Sequence, residues 1–156
     1  MMYSKRHIVF DCDGTLVDTS RLKYSLYPGI KELLMALASD SVLYVWTARD
    51  RRSTLRIFDE LGIGKFFDQI STCDDAIPKP HISGLIDMLH DTQKSLICVI
   101  GDTSNDIIGA KNFNVKSIGA VWNPSAGAII LRDSGADFIA KAPEECLEWI
   151  KENLVD

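Results

Sequence analysis

The sequence predicts an α/β fold in which a mostly parallel sheet carries helices on both faces. Short, fully apolar runs at residues 8–10, 42–46 and 96–100 read as strands covered on both sides. Between them lie segments whose apolar residues recur at helical spacing. Strand and helix alternate throughout, which implies right-handed βαβ crossovers and parallel pairing. At 156 residues the chain suits one domain with a full core.

Composition narrows the functional classes. Apolar residues make up 46% and charged residues 25%, ordinary for a soluble globular protein. A net charge of −5 argues against non-specific nucleic acid or anionic membrane binding, which favour basic surfaces. Cys12, Cys73, Cys98 and Cys146 form no CxxC pair and have no zinc-ligand spacing with histidine. Cys12 and Cys98 sit in apolar strands and read as small core residues. After Lys5 and Arg6 the apolar run is too short for a signal segment, and no stretch is long enough to span a membrane. The expectation is a soluble, cytoplasmic protein with no membrane partner.

The elements follow in order. After the first strand, residues 15–27 show no clear period and read as a small flap. Pro28 suits the first turn of a helix in which Ile30, Leu33, Leu34, Leu37 and Ala38 recur. The strand at 42–47 ends in the hydroxyl of Thr47, and an amphipathic helix over 50–61 follows, with Gly62 as its C-cap. A turn or short helix at 63–68, a short strand at 69–72 and a loop at 73–77 lead to Pro78-Lys79-Pro80. Pro80 can open the helix that carries Ile82, Leu85, Ile86 and Leu89. The strand at 96–100 ends in Gly101-Asp102, and a helix over 103–112 turns Ile107, Ile108 and Ala110 inward. A strand at 116–122, a helix at 125–133, a short strand at 138–140 and a helix at 143–153 complete the chain.

The chemistry gathers at strand ends. Asp11 and Asp13 are two apart on extended backbone, so they share a face and Cys12 points the other way. Crowded carboxylates at the C-terminal edge of a parallel sheet, where ligands of such sheets bind, invite a cation. Thr47, Lys79 and the pair Asp102/Asp106 converge on the same edge. A candidate nucleophile, a second acid, a hydroxyl, an ammonium and two further carboxylates suit phosphoryl transfer through an aspartyl-phosphate. Oxygen-only donors suit Mg²⁺ before Zn²⁺.

Four motifs in order carry a resemblance: Asp11-Cys12-Asp13-Gly14-Thr15-Leu16-Val17-Asp18, Val45-Trp46-Thr47-Ala48-Arg49, Lys79 between two prolines, and Gly101-Asp102-Thr103-Ser104-Asn105-Asp106. The chain resembles phosphohydrolases of the haloacid dehalogenase superfamily, in particular their phosphoglycolate-phosphatase-like branch. The resemblance implies a three-layer, Rossmann-like fold and a Mg²⁺-dependent phosphatase acting on a phosphate monoester. It implies Asp11 as nucleophile and Asp13 as general acid and then base, with a backbone carbonyl on the metal. Thr47 and nearby N–H groups would hold the phosphoryl oxygens, and Lys79 would balance their charge. Asp102 would ligate Mg²⁺, and Asp106 would support the site directly or through water. With Asp11 and Asp13, these make up the expected metal set. Ala48 and Arg49 are the nearest candidates for substrate contact, ahead of Arg21, Lys23, Tyr24, Tyr27, Arg51 and Arg52.

Many relatives insert a cap domain after the first motif or between the second and third. Here residues 15–27 have room only for a flap, and 47–79 for one helix, a turn and a short strand. The resemblance is therefore to a capless member, one catalytic domain over residues 1–156. Its open site would be closed by the flap, by a large substrate, or by a second subunit in a homo-oligomer. A phosphomutase or phosphotransferase of the same superfamily is the alternative. A receiver-like phosphoaspartate module has its acidic pair and lysine in a different order. A catalytically idle binding protein would lack one of the reactive groups. His7, His81, His90 and Trp46 are assigned no role, and Asp74 and Asp75 are read as capping the Lys79 loop.

Overall fold

The computed structural model describes residues 4–156. The chain runs β1 (Arg6–Phe10), a hairpin of β2 (Val17–Asp18) and β3 (Ser25–Leu26), α1 (Ile30–Ala38), β4 (Ser41–Trp46), α2 (Arg51–Leu61) and β5 (Phe67–Ser71). It continues through α3 (Ser83–Leu89), β6 (Ile97–Gly101), α4 (Ser104–Asn112), β7 (Lys116–Ala120), α5 (Ala128–Asp133), β8 (Phe138–Ala140) and α6 (Pro143–Asn153). Six strands form one sheet in the order β5-β4-β1-β6-β7-β8, and every pair in it is parallel. The order reverses at β1, which places a crevice at the C-terminal ends of the central strands.

Period-two alternation builds two cores from the same strands. Ile8, Phe10, Leu43, Val45, Cys98 and Ile100 face one side, with side chains of α1, α2 and α6. Val9, Tyr44, Trp46, Ile97 and Val99 face the other, with side chains of α3 and α4. Each central strand is therefore apolar on both faces, which is why the runs are continuous. Cys12 belongs to the first core and is fully buried, opposite in direction to Asp11, as the spacing requires.

Several boundaries differ from expectation. Pro28 stands outside α1, because Gly29 at φ 91° turns the chain before the first helical residue, Ile30. Pro80 does not open α3, because a turn from Pro78 to His81 intervenes (N–H to O, 3.1 Å) and the helix starts at Ser83. Ile108 faces outward, since Asp106, Ile107, Gly109 and Ala110 define the buried stripe of α4. α5 starts late, because Asn123 accepts the Ser125 N–H on its side chain and the Ala126 N–H on its carbonyl, holding an Asx turn there. Residues 15–27 hold only the small hairpin, so no cap domain is inserted after the first motif. Among the described residues no helix is long and apolar enough to cross a membrane.

Candidate active site

Asp11 is the first residue past β1, and its N–H still donates to the Ile100 carbonyl of β6 at 3.0 Å. The chain then turns sharply, with Leu16 and Val17 N–H groups both returning to the Cys12 carbonyl. Gly14 permits that turn at φ 82°, and a Cβ there would lie 2.1 Å from Asp102 Oδ2. Only glycine satisfies both demands.

Lys79 reaches this edge from the loop after β5. Its Nζ donates to Asp11 Oδ1 at 2.9 Å and to Asp106 Oδ1 at 2.5 Å. Asp106 is wholly buried, and its other oxygen accepts the Thr103 N–H and hydroxyl at the start of α4. Burial works against the Lys79 ammonium, but Asp106 and Asp11 outweigh it and raise the pKa above that of an ordinary lysine. The ammonium also stands 5.0 Å from the centre of the Trp46 ring, a cation–π contact.

Asp102, at the end of β6, has both oxygens directed. Thr15 Oγ1 lies 3.2 Å from Oδ1, and Asn123 Nδ2 donates to Oδ2 at 3.0 Å. One oxygen each of Asp11, Asp102 and Asp106 come within 4.8 Å of one another. Three carboxylates around one ammonium leave excess negative charge in a dry place. Burial accordingly pushes Asp11 up to about 7 against the pull of Lys79, with Asp102 adding to the rise. The donor set is all carboxylate oxygen, which fits a hard divalent cation.

Asp13 stands apart from that group. Arg49 Nε donates to its Oδ2 at 3.0 Å and Nη2 to its Oδ1 at 2.7 Å, a two-pronged pair. Burial opposes ionisation of Asp13, but the Arg49 hydrogen bonds outweigh it and hold the carboxyl below its usual range. Arg49 also donates to Ser53 Oγ and lies 5.7 Å over the Tyr24 ring of the flap. Thr47 continues β4, donating its N–H to Ser71 at 2.9 Å, and its hydroxyl accepts the Arg49 N–H at 3.1 Å. Ala48 between them is exposed.

The structure thus brings Asp11, Lys79, Asp102 and Asp106 together, with Asp13 and Arg49 as a second group and Thr47 on the neighbouring strand. Asp74 and Asp75 cap a different segment from the one expected. Asp74 accepts the Arg51 N–H, and Asp75 takes the Arg51 guanidinium along with the Thr72 N–H and hydroxyl, so the pair fastens the start of α2. That also occupies Arg51, while Arg21, Lys23 and Arg52 stay exposed and Tyr27 is buried. Thr15, Trp122 and Asn123 were not foreseen as site residues. Trp122 Nε1 donates to the Thr15 carbonyl at 2.9 Å. The available signal was Asn123-Pro124 just past a strand, at the edge where the other groups converge.

Residues 20–120 match the model of the haloacid dehalogenase-like hydrolase family. The chain belongs to that family. The matched span holds Thr47, Lys79, Asp102 and Asp106 of this family member, and begins after Asp11 and Asp13. It is 38% identical over 103 residues to a phosphoglycolate phosphatase of Agrobacterium fabrum, covering 62% of this chain and 43% of that one. This hydrolase-family chain spans about half the length of the curated relatives it matches, 43% and 56% of the first two. Its fold matches a candidate β-phosphoglucomutase from Thermotoga maritima at TM-score 0.85, with 20% identity over 94% of this chain and 99% of that one. It also matches a Bacillus subtilis hydrolase of the same superfamily solved with magnesium bound, at TM-score 0.81 and 13% identity over 94% and 98% of the two chains.

Proposed function

We propose that residues 1–156 form one capless catalytic domain that hydrolyses a phosphate monoester through an aspartyl-phosphate on Asp11. The observation that carries this reading is the separation of the two acids in the first motif. Asp11 is buried against Lys79 among metal-competent carboxylates, and Asp13 is turned out onto Arg49.

A carboxylate approaches a phosphate dianion only when cations offset the charge. Lys79 supplies one. Asp11 and Asp102, with the Asp13 backbone carbonyl and with Asp106 behind Lys79, would hold Mg²⁺. When bound, the ion neutralises charge spread over the phosphoryl oxygens. Asp11 attacks phosphorus; Asp13, which takes up a proton from solvent as its pairing with Arg49 loosens, passes that proton to the departing ester oxygen. Asp13 then takes a proton from the water that attacks the aspartyl-phosphate, which releases phosphate and restores both acids. Thr47 and the N–H groups at Ala48 hold the phosphoryl oxygens throughout. Hydrolysis is favoured over mutase chemistry because no cap is inserted to retain an intermediate. A cytoplasmic setting suits four unpaired cysteines.

The test is turnover of a generic aryl phosphate with Mg²⁺ present. Asp11→Asn should abolish it while leaving the far-UV spectrum intact. Retained turnover would sink the nucleophile assignment.

A further inference from the structure

The three carboxylates of the proposed cation site are not held alike. Lys79 fastens Asp11 and Asp106, and Asp106 also takes the Thr103 N–H and hydroxyl. Asp102 is half-buried and, among the described residues, has no basic side chain within ion-pair distance. It receives two neutral donors, the Thr15 hydroxyl at Oδ1 and the Asn123 amide at Oδ2. The hydroxyl has one proton to give. It stands 3.2 Å from Asp102 Oδ1 and 3.4 Å from Asp11 Oδ2, so that donor is divided between two acids. Among the described residues, the Asn123 amide at 3.0 Å is the one side-chain donor that Asp102 does not share.

The loop between β7 and α5 aims that amide. Asn123 Oδ1 accepts the Ser125 N–H at 3.0 Å, so the Nδ2 end faces Asp102, and a flipped amide would lose both bonds. The neighbouring backbone is tied down as well. The Val121 N–H donates to the Ala140 carbonyl of β8 at 2.9 Å, Trp122 Nε1 donates to the Thr15 carbonyl, and the Ala126 N–H returns to the Asn123 carbonyl. Nδ2 also lies against Gly14, where a Cβ would stand 2.7 Å from it. The amide takes one acceptor position of a carboxylate that has about four, so a cation still finds its share.

We propose that Asn123 is a positioning residue for the cation: its amide holds the Asp102 carboxylate beside Asp11 before the ion arrives, and so sets how tightly the ion binds. The inference rests on the cation site proposed above. Without the ion, Asp11 and Asp102 repel each other, and a half-buried Asp102 has water to turn into. A ligand that must first be turned back weakens binding, whereas one already fixed does not. Once bound, a dication holds the carboxylate far more strongly than a neutral amide can. The contribution of Asn123 therefore falls on affinity and leaves turnover of the loaded protein nearly untouched.

The test is calorimetric titration of the metal-free protein with Mg²⁺, which needs no turnover. Asn123→Ser keeps an oxygen for the Ser125 N–H but is too short to bring a donor to Asp102, and Asn123→Ala removes both bonds. Each variant should raise the Mg²⁺ dissociation constant by about tenfold or more. At saturating Mg²⁺, kcat on an aryl phosphate should return to within about threefold of the unmodified value. If Asn123→Ser binds Mg²⁺ to within about threefold of the unmodified protein, the inference is overturned while the cation site stands. It is equally overturned if kcat stays low in both variants at saturating Mg²⁺, since Asn123 then shapes more than the affinity of the ion. If the unmodified protein takes up no Mg²⁺, the cation site itself falls and takes this inference with it. Asn123→Ser retains the turn that builds the loop, so a misfolded alanine variant does not blunt the test.

Discussion

Trp46 is wedged between two glycines, and the lysine of the site rests on its ring. A Cβ on Gly109 would lie 2.3 Å from Trp46 Cη2, and one on Gly84 would lie 2.8 Å from its Nε1. Alanine in a helix interior usually gains about 1 kcal/mol over glycine. Overpacking a filled core costs about 1–3 kcal/mol. With an aromatic carbon so close, the second effect wins. Gly109→Ala should therefore lower stability by about 1–2 kcal/mol in urea titration, and should cut kcat as the displaced indole shifts Lys79. Gly64→Ala, whose new atom meets nothing nearer than 3.9 Å, is the control and should stay within about 0.5 kcal/mol. None of this was legible in the sequence. Trp46 looked like one more apolar strand residue, because pattern reports burial but not which glycine on another helix makes room. Asp11, Lys79 and Asp102 were legible, because reactive groups at strand ends need only the parallel topology to bring them together.

At the scale of elements, α2 aims the second motif, and its start is fastened three times. Asp50 caps it through the Ser53 N–H at 2.8 Å, Asp74 accepts the Arg51 N–H at 2.9 Å, and Asp75 holds the Arg51 side chain. Asp50→Ala should lower the urea midpoint by removing the cap; it should also weaken activity, since Asp50 steadies Ser53 beneath Arg49. The Asp75 tie is pH-dependent. The Arg51 hydrogen bond, opposed by partial burial and aided by Thr72, draws Asp75 down to about 2. A carboxyl depressed in the folded state contributes stability above its ordinary value near 3.8, and that stability fades as pH falls towards 2. The difference in urea midpoint between the unmodified protein and Asp75→Asn should be constant above pH 5 and shrink steadily between about pH 4 and 2. A constant difference across that window would show that the tie is steric instead. Sequence reading places α2 to within a residue and Gly62 as its C-cap, whereas Asp50 is read there as the first helical residue and is in fact the N-cap. It missed the partner of Asp74 and Asp75, because a loop acid can cap any nearby N–H and only the β4–β5 pairing brings these two to Arg51.

For the whole molecule, the site is a property of the sheet. β1 delivers Asp11, β6 delivers Asp102, α4 delivers Asp106, and the loop after β5 delivers Lys79. The unfolded chain cannot assemble those groups, so a cation they share must stabilise the fold by mass action. At one hundred times its dissociation constant the gain is about 2.7 kcal/mol, or about 5–10 °C in thermal midpoint for a chain this size. The metal-free protein bears the opposite sign, since Asp102 adds repulsion to Asp11 in a buried place. Asp102→Asn keeps an acceptor for Asn123 while removing that charge. At pH 8 without divalent ions, the variant should therefore melt at or above the temperature of the unmodified protein. Adding Mg²⁺ should raise the unmodified protein by several degrees and the variant hardly at all, so the order reverses. Scanning calorimetry across an Mg²⁺ series reads both signs in one experiment. If the unmodified midpoint stays flat, or if the two proteins rise together, the three carboxylates do not form the cation site.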